Sequence, residues 1–387
     1  MRIGINASFL RKPGTGIGQV TLQFLQTLAA TEEWKHHTFF LYLEEEADIS
    51  FLPSTFHKRV FLPRWWNRDD VPRKWLWEKF SLPKKVIADK CDAFISISQS
   101  ATVFQKTKMT PEFQHVMVVH DLIPRIFPEY LSRFTQKIHW QSTERAIRKA
   151  DTVLAVSENT KKDLASLLSI PENDIQVAYP AVAPLFLEPL ETDITRATLS
   201  RYGLTEGYIY HGGGLEKRKN TEMLLRAYAS VLAEKKDTPR LVISGRIFPE
   251  TNPLAAPVKT LIEELKLEEK VVLLDFVPEV DLPHLYQGAL FFAYPSLYEG
   301  FGLPVLEALT QGTPVLAGGN ASLPEVAGAS ALYVDPTSAE SIASGLKRMV
   351  NEKELREKLI SQSRTQAVQF SWERFVGKVM SPLSDKL

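Results

Sequence analysis

The sequence has little of several features that direct a protein to a special environment. Among its 387 residues there is one cysteine, Cys91, which excludes an internal disulfide and favours a reducing compartment. The 46 basic and 46 acidic residues give a formal net charge of zero, so total charge does not indicate nucleic acid as a partner. No apolar run approaches the roughly 18 residues of a membrane span, and a signal peptide is not evident. We expect a cytoplasmic protein, at most peripheral on the inner face of a membrane.

Metal-binding patterns are also missing from the sequence. No Asp-x-Asp occurs, and the histidines and the cysteine do not cluster at metal-ligand spacing. We therefore expect neither a metal nor another cofactor. If the protein binds a phosphate, the positive charge has to come from Arg, Lys and helix ends.

Short apolar runs alternate with longer amphipathic segments, a pattern typical of parallel sheets with helices on both faces. Prolines and acidic residues interrupt the pattern between 180 and 193. We predict an α/β fold with two Rossmann-like domains, 1–180 and 190–365, facing across a cleft, and a C-terminal helix in 366–387 that packs back on the first domain. The predicted strands are Ile3–Asn6, Thr38–Leu43, Ala93–Ser98, Val116–His120, Thr152–Val156, Ile175–Ala178, Tyr208–Tyr210, Leu241–Ser244, Val271–Leu274, Leu290–Ala293, Pro314–Ala317 and Ala331–Val334.

Two glycine-rich loops follow predicted strands, where ligands of open α/β sheets bind. Gly14–Gly18 precedes a helix, so its backbone suits the approach of a phosphate, although its spacing is not the dinucleotide fingerprint. Gly212–Gly214 precedes Lys217–Lys219, which together suit a diphosphate. The alternatives are a structural glycine turn for the first loop and a solvated basic loop for the second.

Polar residues end one of the most apolar runs. His120 and Asp121 follow Val118 and Val119 at the carboxyl end of a predicted buried strand. Polar groups in such a place are costly unless they are used, which favours a functional site. The alternative is a helix-capping aspartate beside a satisfied core histidine.

The segment 298–308 carries the most chemistry. Pro304 suits the first turn of a helix, so the amides of residues 301–303 face an anion at its positive end. We predict Glu307 in the first turn of this helix and Glu299 in the preceding loop. A ligand across the helix end would then meet both carboxylates. Paired carboxylates also occur in glycoside hydrolases, but the phosphate-binding features favour a transferase.

In this order, the four loops resemble the GT-B fold glycosyltransferases of retaining family 4 (glycosyl transferases group 1), especially bacterial polysaccharide mannosyltransferases. Glu299 and Glu307 match the E-x7-E motif of that family, and the resemblance covers nearly the whole chain. The further matching stretches are Gly14–Gly18, His120–Pro124, Val156–Glu158, Arg218–Asn220, Ser322–Gly328 and Phe370–Trp372.

The resemblance implies roles for individual residues. Glu299 would bind hydroxyls of the donor sugar near the reacting carbon, His120 would contact the same sugar, and Glu307 would bind the ribose. The residues implied at the sugar, the diphosphate or the base are Gly16, Arg218, Lys219, Phe301, Gly302, Leu303 and, for the base, Val277. The resemblance also implies transfer with retention and without a divalent metal.

Two positions depart from the pattern of the family. Gly213 stands where many members carry an arginine, six residues before the phosphate lysine. This leaves Arg218 or Arg246 as the partner of Lys219 at the diphosphate. The stretch Tyr179–Val182 replaces the Asn-Gly of many relatives, which affects the hinge more than the chemistry.

The resemblance also suggests the reaction. We expect a mannose from GDP-mannose to be moved onto a glycan acceptor or one linked to polyprenyl diphosphate, in polysaccharide or lipopolysaccharide biosynthesis. UDP-glucose, UDP-GlcNAc and dTDP-rhamnose are the alternative donors. A nucleotide-sugar epimerase, a glycogen-type phosphorylase and a non-catalytic nucleotide-sugar binding module are the alternative functions.

Aromatic and basic residues alternate in the first half of the chain. Trp65, Trp66 and Arg68 suit contact with anionic lipid, because tryptophans lie at headgroup level and nearby cations add to binding. Trp75 and Trp77 follow the same pattern, with packing in the core as their alternative.

Overall fold

The structure is a computed structural model that describes residues 1–61, 70–248 and 252–384. The chain forms two compact units. One consists of Met1–Ala181 together with Ser371–Leu387, and the other is the continuous segment Val182–Phe370. The boundary between the two units, between Ala181 and Val182, falls inside the stretch Tyr179–Val182.

The first unit is built on a parallel sheet. Its strands are β1 (Arg2–Asn6), β2 (Thr38–Leu43), β3 (Phe56–Val60), β4 (Ala93–Ser96), β5 (Gln114–Val119), β6 (Thr152–Ala155) and β7 (Ile175–Val177). They pair in the order β3-β2-β1-β4-β5-β6-β7. Its helices are α1 (Gly16–Ala30), α2 (Asp70–Leu76), α3 (Leu82–Ala88), α4 (Ile123–Ile126), α5 (Phe134–Ile147) and α6 (Glu158–Leu168). The central strands are apolar because helices cover both faces of a parallel sheet.

The first glycine loop leads into α1, as predicted. Thr15 caps the helix by accepting a hydrogen bond from the Gly18 amide at 3.2 Å. A Cβ on Gly18 would lie 2.0 Å from the carbonyl oxygen of Lys12. Gly18 is therefore required for the chain to fold back over the helix start, whatever ligand this loop binds.

The second unit contains a smaller parallel sheet, which pairs in the order β10-β9-β8-β11-β12-β13. Its strands are β8 (Tyr208–His211), β9 (Leu241–Ser244), β10 (Val271–Leu274), β11 (Ala289–Tyr294), β12 (Val315–Gly318) and β13 (Ala331–Val334). Its helices are α7 (Thr192–Arg201), α8 (Thr221–Glu234), α9 (Val258–Glu264), α10 (Leu282–Gly288), α11 (Leu303–Thr310), α12 (Leu323–Ala327), α13 (Ala339–Asn351) and α14 (Lys353–Ala367).

The last helix, α15 (Trp372–Ser384), belongs to the first unit. It packs on α1, where the rings of Phe24 and Phe375 meet edge to face with centroids 6.2 Å apart. Both rings are fully buried. Residues from both ends of the sequence thus complete the core of the first unit.

The predicted α/β fold with two Rossmann-like parallel sheets is confirmed. Every predicted apolar run forms a strand, and β3 is the strand that the prediction missed. β3 lies at the edge of its sheet and exposes His57 and Lys58, so it lacks the apolar run of a central strand. In the described ranges, no helix combines the length and the apolar character that crossing a membrane requires.

Candidate functional site

The second sheet places two of the predicted loops side by side. Its strand order reverses between β8 and β11, which are hydrogen-bonded neighbours. Ligands of open α/β sheets bind beyond the carboxyl ends of the strands at such a switch point. The loop after β8 carries Arg218 and Lys219, and the loop after β11 carries Glu299. Topology therefore brings together residues about 80 positions apart in the chain.

Glu299, Lys219 and Arg218 form one buried ion cluster. The Lys219 ammonium donates to Glu299 Oε1 at 2.7 Å, and Arg218 Nη1 donates to Glu299 Oε2 at 2.8 Å. Glu299 and Lys219 are each 6% exposed. Of the two arginines proposed as partners of Lys219, Arg218 lies in this cluster, whereas Arg246 lies over the ring of Phe248.

Electrostatics keep this carboxylate charged. Burial opposes ionisation of Glu299, but Arg218 and Lys219 outweigh burial and lower the pKa of its carboxyl to about 2. Burial and the neighbouring Arg218 lower the pKa of Lys219, and Glu299 opposes this change. Glu299 is thus an anion at every physiological pH, and it holds two cations at the switch point.

Sequence reasoning missed two hydroxyl groups of the cluster. Tyr294 and Ser296 donate to Glu299 Oε1 at 2.9 and 2.7 Å. Both side chains are completely buried. Tyr294 is the last residue of the apolar strand β11. A hydroxyl at the end of an apolar run was the sequence signal that could have identified it. Glu299 was predicted to bind hydroxyls of a donor sugar; that role stays a prediction, and the observed hydroxyl donors come from the protein.

Two further polar residues fix the loops around the cluster. Ser322 donates to the carbonyl oxygens of Glu299 and Phe301, at 2.9 and 2.6 Å. Asn220 has a left-handed backbone (φ 63°) at the start of α8. Its side-chain amide donates to the carbonyl oxygens of Pro295 and Pro336. Both lie in stretches that the resemblance includes, but hydrogen bonds to main-chain oxygens leave no signature in sequence.

Glycines allow the two loops to approach the cluster. Gly302 has φ 111° and caps α11, and a Cβ there would lie 2.8 Å from Cδ2 of Leu323. Gly213 has φ 104°, a backbone that a residue with a side chain rarely adopts. A Cβ there would lie 3.6 Å from the Tyr294 hydroxyl. An arginine at this position would strain the observed backbone.

Glu307 lies on α11, but not where it was predicted. It is the fifth residue of the helix and therefore falls in the second turn, because α11 begins at Leu303. Tyr286 donates to Glu307 Oε2 at 2.9 Å. Burial raises the pKa of the Glu307 carboxyl to about 7, against the effect of this hydrogen bond. Glu307 and Glu299 therefore differ in charge state near neutral pH.

His120 lies at the carboxyl end of β5 in the first unit. Its Nε2 donates to the carbonyl oxygen of Ile97 at 2.8 Å, and its amide donates to Gln99 Oε1 at 3.0 Å. Burial lowers the pKa of His120 to about 4, so the ring is neutral and its Nδ1 is an acceptor. The Asp121 carboxylate accepts from the Ile123 amide at 3.0 Å, whereas the residue at the cap of α4 is Leu122.

The remaining predicted residues fall at several places in the two units. Gly16 is the first residue of α1, Val277 is buried after β10, and Phe301 packs edge to face on Phe370. Trp77 is fully buried, as its core alternative required, and Trp75 Nε1 donates to Ser142.

The predicted lipid contacts Trp65, Trp66 and Arg68 lie outside the described residues, so membrane contact stays a prediction. In the described part of the chain, no group of His, Cys, Asp or Glu could hold a metal ion. The absence of a metal requirement also stays a prediction.

Comparisons with known proteins identify this chain, with its two Rossmann-like units, as a glycosyltransferase. The sequence profile "Glycosyl transferases group 1" matches residues 202–366, and "Glycosyltransferase Family 4" matches residues 15–184. The chain belongs to this family of glycosyltransferases.

Among the relatives are two proteins of Escherichia coli. O-antigen chain mannosyltransferase B is 32% identical over 259 residues, which make up 67% of each chain. Serotype-specific mannosyltransferase WbdA is 27% identical over 66% of this chain, which spans about a third (32%) of that longer protein. The crystal structure of Anabaena HepE in complex with UDP-glucose has a TM-score of 0.72 over 99% of both chains at 18% identity, a likeness of fold.

Proposed function

We propose that this glycosyltransferase moves mannose from GDP-mannose onto a glycan acceptor, with retention and without a metal ion, in the synthesis of a bacterial polysaccharide or lipopolysaccharide. The observation that carries the proposal is the buried cluster of Glu299, Lys219 and Arg218 at the switch point. The names of the Escherichia coli relatives support mannose as the sugar. We propose that the acceptor glycan is linked to polyprenyl diphosphate, as suits the synthesis of a bacterial polysaccharide or lipopolysaccharide.

The cations of the cluster suit the departing diphosphate. As the bond between the anomeric carbon and the phosphate oxygen breaks, negative charge grows on that oxygen. Lys219, Arg218 and the amides at the start of α11 would stabilise this charge more in the transition state than in the ground state. The acceptor hydroxyl would attack from the same face and give its proton to the departing phosphate. The products are the glycoside and a nucleoside diphosphate.

A neutral His120 fits this chemistry on the other unit. Because Nε2 is used by Ile97, Nδ1 is left as an acceptor for a hydroxyl of the donor sugar. Glu307 would accept hydrogen bonds from the ribose hydroxyls, and Val277 would contact the base. These roles rest on the resemblance and on the positions described above.

The pKa of Glu307 gives a test of its role. We expect the affinity for the donor to rise between pH 6 and pH 8, because the carboxyl loses its proton near pH 7 and the carboxylate is the better acceptor. Glu307→Gln should remove this pH dependence and weaken binding by about tenfold at pH 8. Isothermal titration with GDP-mannose, whose diphosphate does not titrate in this range, checks this, with Glu263→Gln on the exposed face of α9 as the control. Wild-type pH dependence in Glu307→Gln would assign the titration to another group.

The proposed function is tested with a panel of GDP-mannose, UDP-glucose, UDP-GlcNAc and dTDP-rhamnose. We expect GDP-mannose to stabilise the protein most, by about 2.7 kcal/mol at 100 times its dissociation constant. Turnover should require an acceptor, continue in EDTA, and give an α-linked product from the α-linked donor. Tight binding without turnover would favour a binding module, and an inverted product would exclude the proposed mechanism.

A further inference from the structure

Tyr294 is a buried tyrosine whose hydroxyl lies between the charged groups of the cluster. Its oxygen accepts a hydrogen bond from the Lys219 ammonium, and the hydroxyl donates to Glu299 Oε1 at 2.9 Å. The Lys219 ammonium also lies 5.1 Å from the centroid of the tyrosine ring. The side chain is 0% exposed. Lysine, tyrosine and glutamate therefore form a continuous hydrogen-bonded chain, in which Tyr294 is fully buried and Lys219 and Glu299 are each 6% exposed.

The sheet fixes the position of this hydroxyl. Tyr294 is the last residue of β11, which pairs with β8 and β12 on its two sides. Its ring stacks on Phe292 with centroids 5.3 Å apart, and it contacts His211 at 6.0 Å. Lys219, in contrast, is on a short 3-10 turn, and its charge is at the end of a flexible four-carbon chain. The rigid partner in this pair is the tyrosine.

We propose that Tyr294 is a positioning residue, which holds the Lys219 ammonium where the diphosphate of a nucleotide binds. This inference rests on the proposed function, because it assumes that Lys219 meets a phosphate. A phenylalanine at this position would keep the ring and its packing but would remove the acceptor for the ammonium. Lys219 would keep Glu299 as a partner but would lose the group that fixes its direction.

The pH dependence of diphosphate binding distinguishes a positioning role of the Tyr294 hydroxyl from a purely structural one. The titratable and charged groups that face Lys219 are Arg218, Glu216, His211, Tyr294, Glu299 and Glu307. Removing the hydroxyl removes an acceptor that favours the charged ammonium, so the pKa of Lys219 should fall further below its ordinary value. Diphosphate binding should then weaken at a lower pH than in the wild type. A loss of packing alone would weaken binding equally at every pH.

The experiment compares wild type, Tyr294→Phe and Tyr228→Phe in titrations with GDP, UDP and dTDP from pH 6 to pH 10. Tyr228 is the matched control, since it is also buried in the second unit and donates its hydroxyl to the carbonyl oxygen of Pro239, away from the cluster. We expect Tyr294→Phe to bind the preferred diphosphate about tenfold more weakly at pH 7 and to lose binding at a lower pH. Tyr228→Phe should bind as the wild type does.

Three results would overturn the inference. The first is an affinity and pH profile of Tyr294→Phe that match the wild type. The second is weakening that is equal at every pH and accompanied by a lower melting temperature, which would indicate a structural role. The third is a wild-type protein that binds none of the three diphosphates; that result refutes the proposed function itself and so differs from the first two.

Discussion

Glu299→Gln is expected to lower turnover by at least about a hundredfold and to destabilise the second unit by about 3 kcal/mol at pH 7. Glutamine is nearly the same size, but it takes the carboxylate away from the buried Lys219 ammonium and leaves Arg218 paired with Glu216, and removing one partner of a buried ion pair costs about 3–5 kcal/mol. Under the proposed function, misplaced cations would no longer face the departing diphosphate, so turnover should fall. Turnover is measured with the preferred donor, and stability by urea unfolding.

The pH dependence of the same variant has a defined sign. The pKa of Glu299 is about 2 in the folded protein, below its ordinary value of 4.5. Its stabilising contribution is therefore complete above about pH 4.5 and is lost as the pH falls towards 2. The stability difference between wild type and Glu299→Gln should narrow over that window. A constant difference from pH 7 to pH 3 would contradict the charge-based explanation.

The distribution of tryptophan gives this measurement its control. All 7 tryptophans lie outside the segment Val182–Phe370, so their fluorescence reports on the first unit, while circular dichroism reports on both. Glu299→Gln should shift the circular dichroism transition and leave the fluorescence transition in place. Glu222→Gln, which breaks an exposed ion pair with Arg226 on α8, should cost less than about 1 kcal/mol.

Gly245→Ala is expected to destabilise the second unit by about 3 kcal/mol or more and to lower turnover with it. Gly245 follows β9 with φ 140°, which residues with side chains rarely adopt. A Cβ there would lie 1.8 Å from the carbonyl oxygen of Gly213, a main-chain atom that cannot rotate away. The loop of Gly213 and Gly214 would have to move, and this would change the backbone through which a ligand reaches Lys219. Urea unfolding followed by circular dichroism, together with kcat/KM for the donor, measures both effects.

A matched glycine separates clash from backbone strain. Gly203 also has a positive φ of 65°, but a Cβ there would meet nothing within 4 Å. Gly203→Ala should therefore cost only about 1–2 kcal/mol and leave turnover near the wild-type value. Equal effects of the two substitutions would mean that the contact between Gly245 and Gly213 is not what holds the loop.

The strands and the loops that follow them could be predicted from the sequence, because buried parallel strands are short apolar runs and ligand sites follow their carboxyl ends. The edge strand β3 could not, since Phe56–Val60 has the polarity of a loop. Helix α7 begins at Thr192, in the last residues of the segment 180–193 that prolines and acidic residues interrupt. In β3, tertiary pairing decides the structure more than local pattern does.

The ion pairs of Glu299 with Lys219 and Arg218 could not be predicted from the sequence for another reason. The motif assigned Lys219 and Arg218 to a diphosphate and Glu299 to a sugar, as separate contacts. The neighbouring positions of β8 and β11 bring the three side chains into one cluster, and this depends on strand order. Which hydroxyl joins them depends on side-chain direction at Tyr294 and Ser296, which spacing along the chain does not encode.

The pairing of α15 with α1 has a consequence for synthesis on the ribosome. The second unit is one continuous segment, so all of its residues are available before α15 has been made. The first unit has to wait, because Phe375 fills the core beside Phe24 only after the intervening 182–370 segment has been translated. We therefore expect the half of the protein that is translated first to complete its core last.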